Sequence, residues 1–172
     1  MNDSDQAAAN LLGALGLLVA GSVRSAVTET VGAGGALGEA LIAIKDQPDR
    51  TADWLAQVLH VSQPGAAHLV HRLTDLDWVH RASHGRTRPL RLTAAGEQAA
   101  ATALAARQAA LDQLVDRLST HQREQLAAIA GRLLEPEARD ELLLAELCRL
   151  CDRASCSRCP VEAGWRRTQH TS

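Results

Sequence analysis

A chain of 172 residues with no Tyr, no Phe and only three Trp must fill its interior with Leu, Ala and Val. With aromatic side chains nearly absent, such a core suits helices that approach one another closely rather than a broad sheet. The expectation is therefore a mainly α protein. Its length suits one compact domain, or one domain with an appendage.

The N-terminal stretch tests that expectation first. Residues 7–20 are almost wholly apolar, but Asp3 and Asp5 precede them where a signal peptide would carry Lys or Arg. The run is also shorter than the roughly 20 apolar residues a bilayer requires. Leu11, Leu15 and Leu18, with Leu12 and Val19, fall on helical spacing. They predict a helix from about Asp5 to Thr30 that is buried against a second chain, in a cytoplasmic protein with no membrane partner. Gly32, Gly34 and Gly35 end it as a helix–helix turn; no Gly-Lys-Ser/Thr follows to make a phosphate loop. A second helix, with Leu37, Leu41, Ile42 and Ile44 inward, closes before Pro48.

Two short helices come next in close succession. Thr51 can cap the first, Ala52 to Leu59, with Trp54, Leu55 and Val58 inward. His60 and Val61 make the turn, and Ser62 caps a second helix from Gln63 to about Asp75. Pro64 is tolerated in its first turn, where amides lack intrahelical partners anyway. Val61, Ala66, Leu69, Val70 and Leu73 form the inner face, leaving Gln63, Pro64, Ala67, His68 and His71 outward and Arg72 at the edge. Trp78 to Ser83 and Pro89 to Leu92 read as short strands joined at His84-Gly85. Arg81, Arg86, Arg88 and Arg91 gather on this hairpin, and a basic hairpin directly after two linked helices has the order of a wing. The net charge of -2 excludes little, because nucleic-acid binding depends on where positive charge sits. From Thr93, an N-cap, the chain reads as helical to about Leu118, and Ser119-Thr120 restart a helix to Leu134. Pro136 opens a last one before the cysteines, and the tail from Gly164 is polar and loose.

The stretch TADWLAQVLHVSQPGAAHLVHRLTDLDWVHRASHGRTRPLRLTAAGEQAA, Thr51 to Ala100, resembles the MarR family of regulators. The resemblance lies in an ordered set: a Leu-Ala pair, a Ser-capped recognition helix, an Arg-Leu exit, a Val-x-Arg strand, an Arg-rich wing and a Leu-Thr-x-x-Gly restart. Weaker helical patterning extends it over about residues 5–134. Family wings usually carry an Asp before their arginines, and His84 occupies that place here. The resemblance implies a winged helix-turn-helix with a small β-hairpin wing, on a dimerisation scaffold of N- and C-terminal helices. It also implies a homodimeric transcriptional regulator on a pseudo-palindromic, double-stranded DNA operator, since a two-fold scaffold must space two recognition helices by one DNA turn. Gln63, Pro64, His68, His71 and Arg72 are the candidate base readers or phosphate clamps, and Arg81, Arg86 and Arg88 the wing contacts. Competing readings are a protein-interaction winged helix, surface histidines without a role, and an Arg72–Asp75 ion pair at i,i+3. The family likeness also admits a small aromatic effector, although only Trp54 and Trp78 offer aromatic surface, and both suit the core.

All four cysteines lie within CRLCDRASCSRCP, as Cys148, Cys151, Cys156 and Cys159. Two CxxC pairs so close together suit a tetrathiolate site. An iron–sulfur cluster is favoured, because Cys159-Pro160 resembles the Cys-Pro ending of ferredoxin-like clusters. Structural zinc has the same signature, and a metal-free dithiol switch beside Arg149, Arg153 and Arg158 remains open. Structural disulfides do not suit the cytoplasm. The cluster is expected to modulate DNA binding as a sensor, or to staple the dimer end. A thiol redox enzyme is the alternative of another class, but no βαβ pattern surrounds the CxxC pairs, and no nucleophile elbow, HExxH or P-loop is present. The expected organisation is a dimerisation and connecting segment at 1–50, the winged helix at 51–92 and C-terminal dimerisation helices at 93–147. A cysteine motif at 148–160 and a flexible tail at 161–172 follow.

Overall fold

The computed structural model describes residues 3–32, 36–81, 88–153 and 159–169, apart from the Thr168 side chain. Within them the chain forms eight helices and one two-stranded antiparallel sheet: α1 (Asp3–Val31), α2 (Leu37–Asp46), α3 (Ala52–Val58), α4 (Gln63–Asp75), β1 (Val79–Arg81), β2 (Leu90–Leu92), α5 (Ala94–Val115), α6 (Thr120–Leu134), α7 (Glu141–Cys148) and α8 (Pro160–Gln169).

Capping side chains set most of the boundaries. Thr51, Ser62, Thr93, Ser119 and Asp140 each accept a hydrogen bond from a backbone amide in the first turn of the helix that follows. Ser119 and Gln122 complete a reciprocal capping box. Two expectations fail at the C-terminal end. Pro136 does not open a helix; residues 135–137 make turns, and α7 begins at Glu141, where the Asp140 carboxylate caps Leu143 N at 2.9 Å. The 161–172 tail is not loose over its described part, because α8 buries Val161 and half-buries Trp165. Gly164 permits this: a Cβ there would collide with the carbonyl of Glu135, so only glycine lets α8 lie this close to the end of α6.

The main core lies where α2, α3, α4 and the hairpin converge. Leu37, Leu41, Ile44, Leu55, Val58, Val70, Leu73, Val79 and Leu90 form one buried cluster there. β1 and β2 pair in the register Val79↔Leu92, His80↔Arg91, Arg81↔Leu90, so Val79 and Leu90 turn inward while the residues beside them stay exposed. Gly96 brings α5 against the start of β1, a position at which a Cβ would strike the Trp78 carbonyl. Both strands begin one residue later than the sequence suggested, and Ala82, Ser83 and the His84-Gly85 turn lie outside the described residues.

α1 and α5 run against each other to form the second part of the fold, joined to the first by a small cluster of Val23, Val27, Ile42 and Ala103. α1 extends from Asp3 to Val31, close to the Asp5 to Thr30 helix that the leucine spacing predicts. Over 29 residues α1 is long and apolar enough to cross a membrane by length and composition, and only 11% of its most apolar window is buried. Leu11, Leu12, Leu15, Leu17 and Leu18 all lie exposed, Leu17 at 79%.

Candidate nucleic-acid interface and cysteine cluster

The outer face of α4 is shaped by what its inner face must bury. Ala66, Leu69, Val70 and Leu73 sit in the core, at 8% exposure or less, and fix the rotation of the helix. Gln63, Pro64, Ala67, His68 and His71 are thereby left exposed, as expected, with Arg72 half-buried at the edge. Ser62 Oγ accepts from Gly65 N at 3.2 Å, so the first turn is capped while Pro64 needs no partner for an amide it lacks. Asp75 is taken by His71, Nδ1 to Oδ2 at 2.7 Å, and not by Arg72. Arg72 has no hydrogen-bonding or ionic partner among the described residues. The i,i+4 geometry gives the carboxylate to the histidine one turn before it on the same face.

The wing arginines divide into two kinds. Arg81 and Arg88 are exposed and carry no ionic partner among the described residues. Arg88 also adopts a left-handed backbone (φ 42). Arg86 lies outside the described residues. Arg91, counted with this cluster from the sequence, is already neutralised: its Nε and Nη2 donate to the two carboxylate oxygens of Asp49 at 2.5 and 2.7 Å. That hydrogen bonding holds the Asp49 carboxyl below the ordinary carboxylate range.

Of the four cysteines, three are described. Cys148 is buried at the end of α7, 4% exposed, in a cluster with Ala138, Leu144 and Val161; Cys151, Cys159 and Trp165 pack against it. The amide of Cys151 donates to the Cys148 carbonyl at 2.8 Å, and this tight turn brings the two thiols into hydrogen-bonding contact. The shared hydrogen bond raises the Cys148 thiol, with burial adding to it, and lowers that of Cys151, an effect that Arg107 and Arg153 reinforce. Among the described residues no three His, Cys, Asp or Glu side chains are gathered closely enough to hold a metal ion. Cys156, the fourth expected ligand, lies outside them. Cys148 and Cys151 lie together at the end of α7, and Cys159, just before α8, packs on the same cluster, so three soft donors border one patch of the described structure.

Sequence reasoning missed what holds this segment in place. Arg149 pairs with Glu39, Arg153 with Asp46, and Glu146 with His60. Such partners are 86 to 110 positions apart, and no local spacing signals them.

The arrangement is that of a winged helix-turn-helix protein on a helical scaffold. No protein-family model matches the chain, and no curated protein sequence does. Solved structures do match. A MarR-family protein from Bacillus stearothermophilus superposes with a TM-score of 0.68 at 19% identity, over 77% of this chain and 95% of that one. The Mycobacterium tuberculosis MarR-family protein Rv2887 in complex with DNA gives 0.62 at 23% identity, over 73% and 95%. MepR, a transcription regulator of a Staphylococcus aureus multidrug efflux pump, gives 0.62 at 18% identity, again over 73% and 95%. The chain has the winged-helix fold of the MarR regulators.

Proposed function

We propose that this protein is a cytoplasmic transcriptional regulator that binds a pseudo-palindromic DNA operator as a homodimer, its affinity modulated by a metal–thiolate or iron–sulfur group on Cys148, Cys151, Cys156 and Cys159. The observation that carries the DNA reading is the outer face of α4. From a Ser62-capped start, α4 presents Gln63, Pro64, Ala67, His68 and His71 to solvent, beside a hairpin on which Arg81 and Arg88 are exposed. Phosphate contacts from the arginines would position the helix and the α4 side chains would read base edges. The solved complex of a protein with this fold and DNA supports the assignment.

The homodimer follows from what α1 leaves uncovered. Five exposed leucines lie on one helix, and a cleft of about 520 Å³ between α1 and α5 is lined by apolar residues such as Leu18, Ala106, Ala110 and Leu114 and equally by polar ones such as Ser22, Glu29 and Gln113. Fully covering a leucine is worth about 1.5–3 kcal/mol. A second copy of the chain covers this surface in water, and the exposed Leu126, Ile129 and Leu133 of α6 offer it a matching apolar face. For the cysteines, an iron–sulfur cluster or zinc would supply a fixed tetrahedral anchor that ties the end of α7 to the start of α8. Metal binding and local folding are then one event.

The test is direct. Duplexes selected from a random pool by the full-length protein should share a two-fold symmetric motif, with complexes of two chains per duplex by light scattering. Binding without sequence preference, or by a single chain, would overturn the regulator reading. Metal analysis and visible spectra of anaerobically purified protein decide between iron–sulfur and zinc, and a metal-free sample would remove both.

A further inference from the structure

The residues between and after the first two cysteines are also the ones that fasten the C-terminal segment to the DNA-reading lobe. Arg149, next to Cys148, donates Nε to Glu39 Oε2 at 2.9 Å, and Glu39 sits in the first turn of α2. Arg153, two residues after Cys151, donates Nη1 to Asp46 Oδ2 at 2.9 Å, and Asp46 is the last residue of α2. Both carboxylates are only 18% exposed, so solvent screens these pairs less than ordinary surface pairs. Between them, Leu150 packs against the cluster of Val23 and Val27 from α1, Ile42 from α2 and Ala103 from α5. The cavity left at that seam is about 10 Å³. One turn earlier, Ala145 belongs to the main core and Glu146 accepts from His60 Nε2 at 2.6 Å. His60 is the turn between α3 and α4.

We infer that residues 146–153 are a strap through which the ligation state of Cys148 and Cys151 acts on the recognition helix of the same protomer, with Arg149 and Arg153 as its positioning residues. This rests on the metal–thiolate reading above and adds a route to it. Two arginines four residues apart hold the two ends of one ten-residue helix. A ligand on Cys148 and Cys151 fixes the turn between those arginines. When the turn rearranges, either an arginine leaves its carboxylate or α2 moves with it. Packed elements of this kind shift between discrete arrangements and do not deform smoothly. The C-terminal end of α2 leads within five residues to the Thr51 cap of α3, and His60 links the strap to the α3–α4 turn itself. No change in the spacing of two protomers is needed.

The experiment uses the full-length protein, reduced and metal-free, with and without stoichiometric Zn²⁺ as the thiolate-binding probe. Affinity for a selected operator is read by fluorescence anisotropy and bound zinc by metal analysis. The wild type should change affinity on zinc binding, within the range of about 5–150-fold typical of coupled sites. Arg149→Gln with Arg153→Gln should bind the same zinc and lose the change, as should Glu39→Gln with Asp46→Asn from the other side. Arg149→Lys with Arg153→Lys should restore part of it. If the double variants lose helical signal, Arg153→Gln alone carries the test: it removes one of the two anchors and should weaken the affinity change at unchanged zinc binding. A full wild-type response in the neutralised variants overturns the strap and leaves metal control standing. Zinc bound to the wild type with no change in affinity overturns metal control and the strap together.

Discussion

α2 and α1 are both rich in small and aliphatic residues, yet they treat water in opposite ways. Seven of the ten residues of α2 are buried, whereas α1, nearly three times as long, buries only Val23 and Val27. The difference separates two kinds of apolar helix. α2 lies at the centre of a lobe whose other elements each contribute one face, so the chain satisfies it alone. Among the described residues α1 packs chiefly along α5, with smaller contacts to α2 and to Leu150 near its C-terminal half. Its N-terminal leucines are therefore an unfinished surface, and the lobe that reads DNA is a finished one.

Removing the unfinished helix should have the largest effect. Deletion of residues 1–31 exposes the inner face of α5, and the expected outcome is aggregation or loss of the dimer in size-exclusion chromatography with light scattering. A soluble, folded monomer would show that α1 has no structural partner. A finer contrast follows within the folded chain. Leu41→Ala empties a fully buried site and should cost about 2–5 kcal/mol in chemical denaturation. Leu17→Ala, at a residue 79% exposed, should leave the fold of one chain unchanged and weaken dimerisation in dilution experiments. Equal losses of fold stability at the two positions would break the comparison.

The comparison also explains what the sequence could and could not disclose. Inside the lobe every signal was local: Thr51, Ser62 and Thr93 are caps, Leu69, Val70 and Leu73 share a face, and the helices they define appear where the spacing places them. α1 was legible as a helix whose apolar face needs a second chain, and that face is the one the single chain leaves exposed. At the C-terminus Pro136 was misleading. A proline suits a first helical turn, yet Asp140 offered the stronger cap four residues later. α8 was missed because its polar composition hid the two residues, Val161 and Trp165, that pack it. In the candidate DNA interface, the exposed face of α4 was readable from period alone. The partners of His71 and Arg91 were decided by geometry: Asp75 one turn away, and Asp49 from a loop 42 positions earlier.

Within the finished lobe, the wing and the recognition helix should fail differently. Arg81→Ala with Arg88→Ala is expected to weaken binding across all sequences and to flatten the slope of log K against log salt by nearly one per lost phosphate contact. His68→Ala is expected to relax preference at one symmetric operator position, at about 1–3 kcal/mol for a well-made base contact. Competition against operators altered one base pair at a time distinguishes the two. Uniform weakening by His68→Ala would reassign that residue to the phosphates.

The smallest expected effect concerns a charge the lobe holds in reserve. Arg91 stands on β2 beside the free arginines, but both of its forked donors are engaged by Asp49. Asp49→Asn removes the carboxylate charge and keeps a residue that tolerates the left-handed backbone found there, φ 68. The fold should persist, because the Asp49 amide still donates to the Leu90 carbonyl at 3.0 Å. Two readouts follow. If the released Arg91 reaches a phosphate, the salt dependence of DNA binding steepens by up to about one counterion; an unchanged slope would show that Arg91 faces away from the duplex. The pH dependence of melting supplies the second. Arg91 lowers the folded-state pKa of Asp49, so the stabilisation it provides is complete above the ordinary carboxylate range and fades as pH falls through the lowered value. The pair is exposed, and the contribution is small. Wild type and Asp49→Asn should therefore differ slightly in melting temperature near neutral pH and converge in acid; a difference that grew as the pH fell would contradict the pairing.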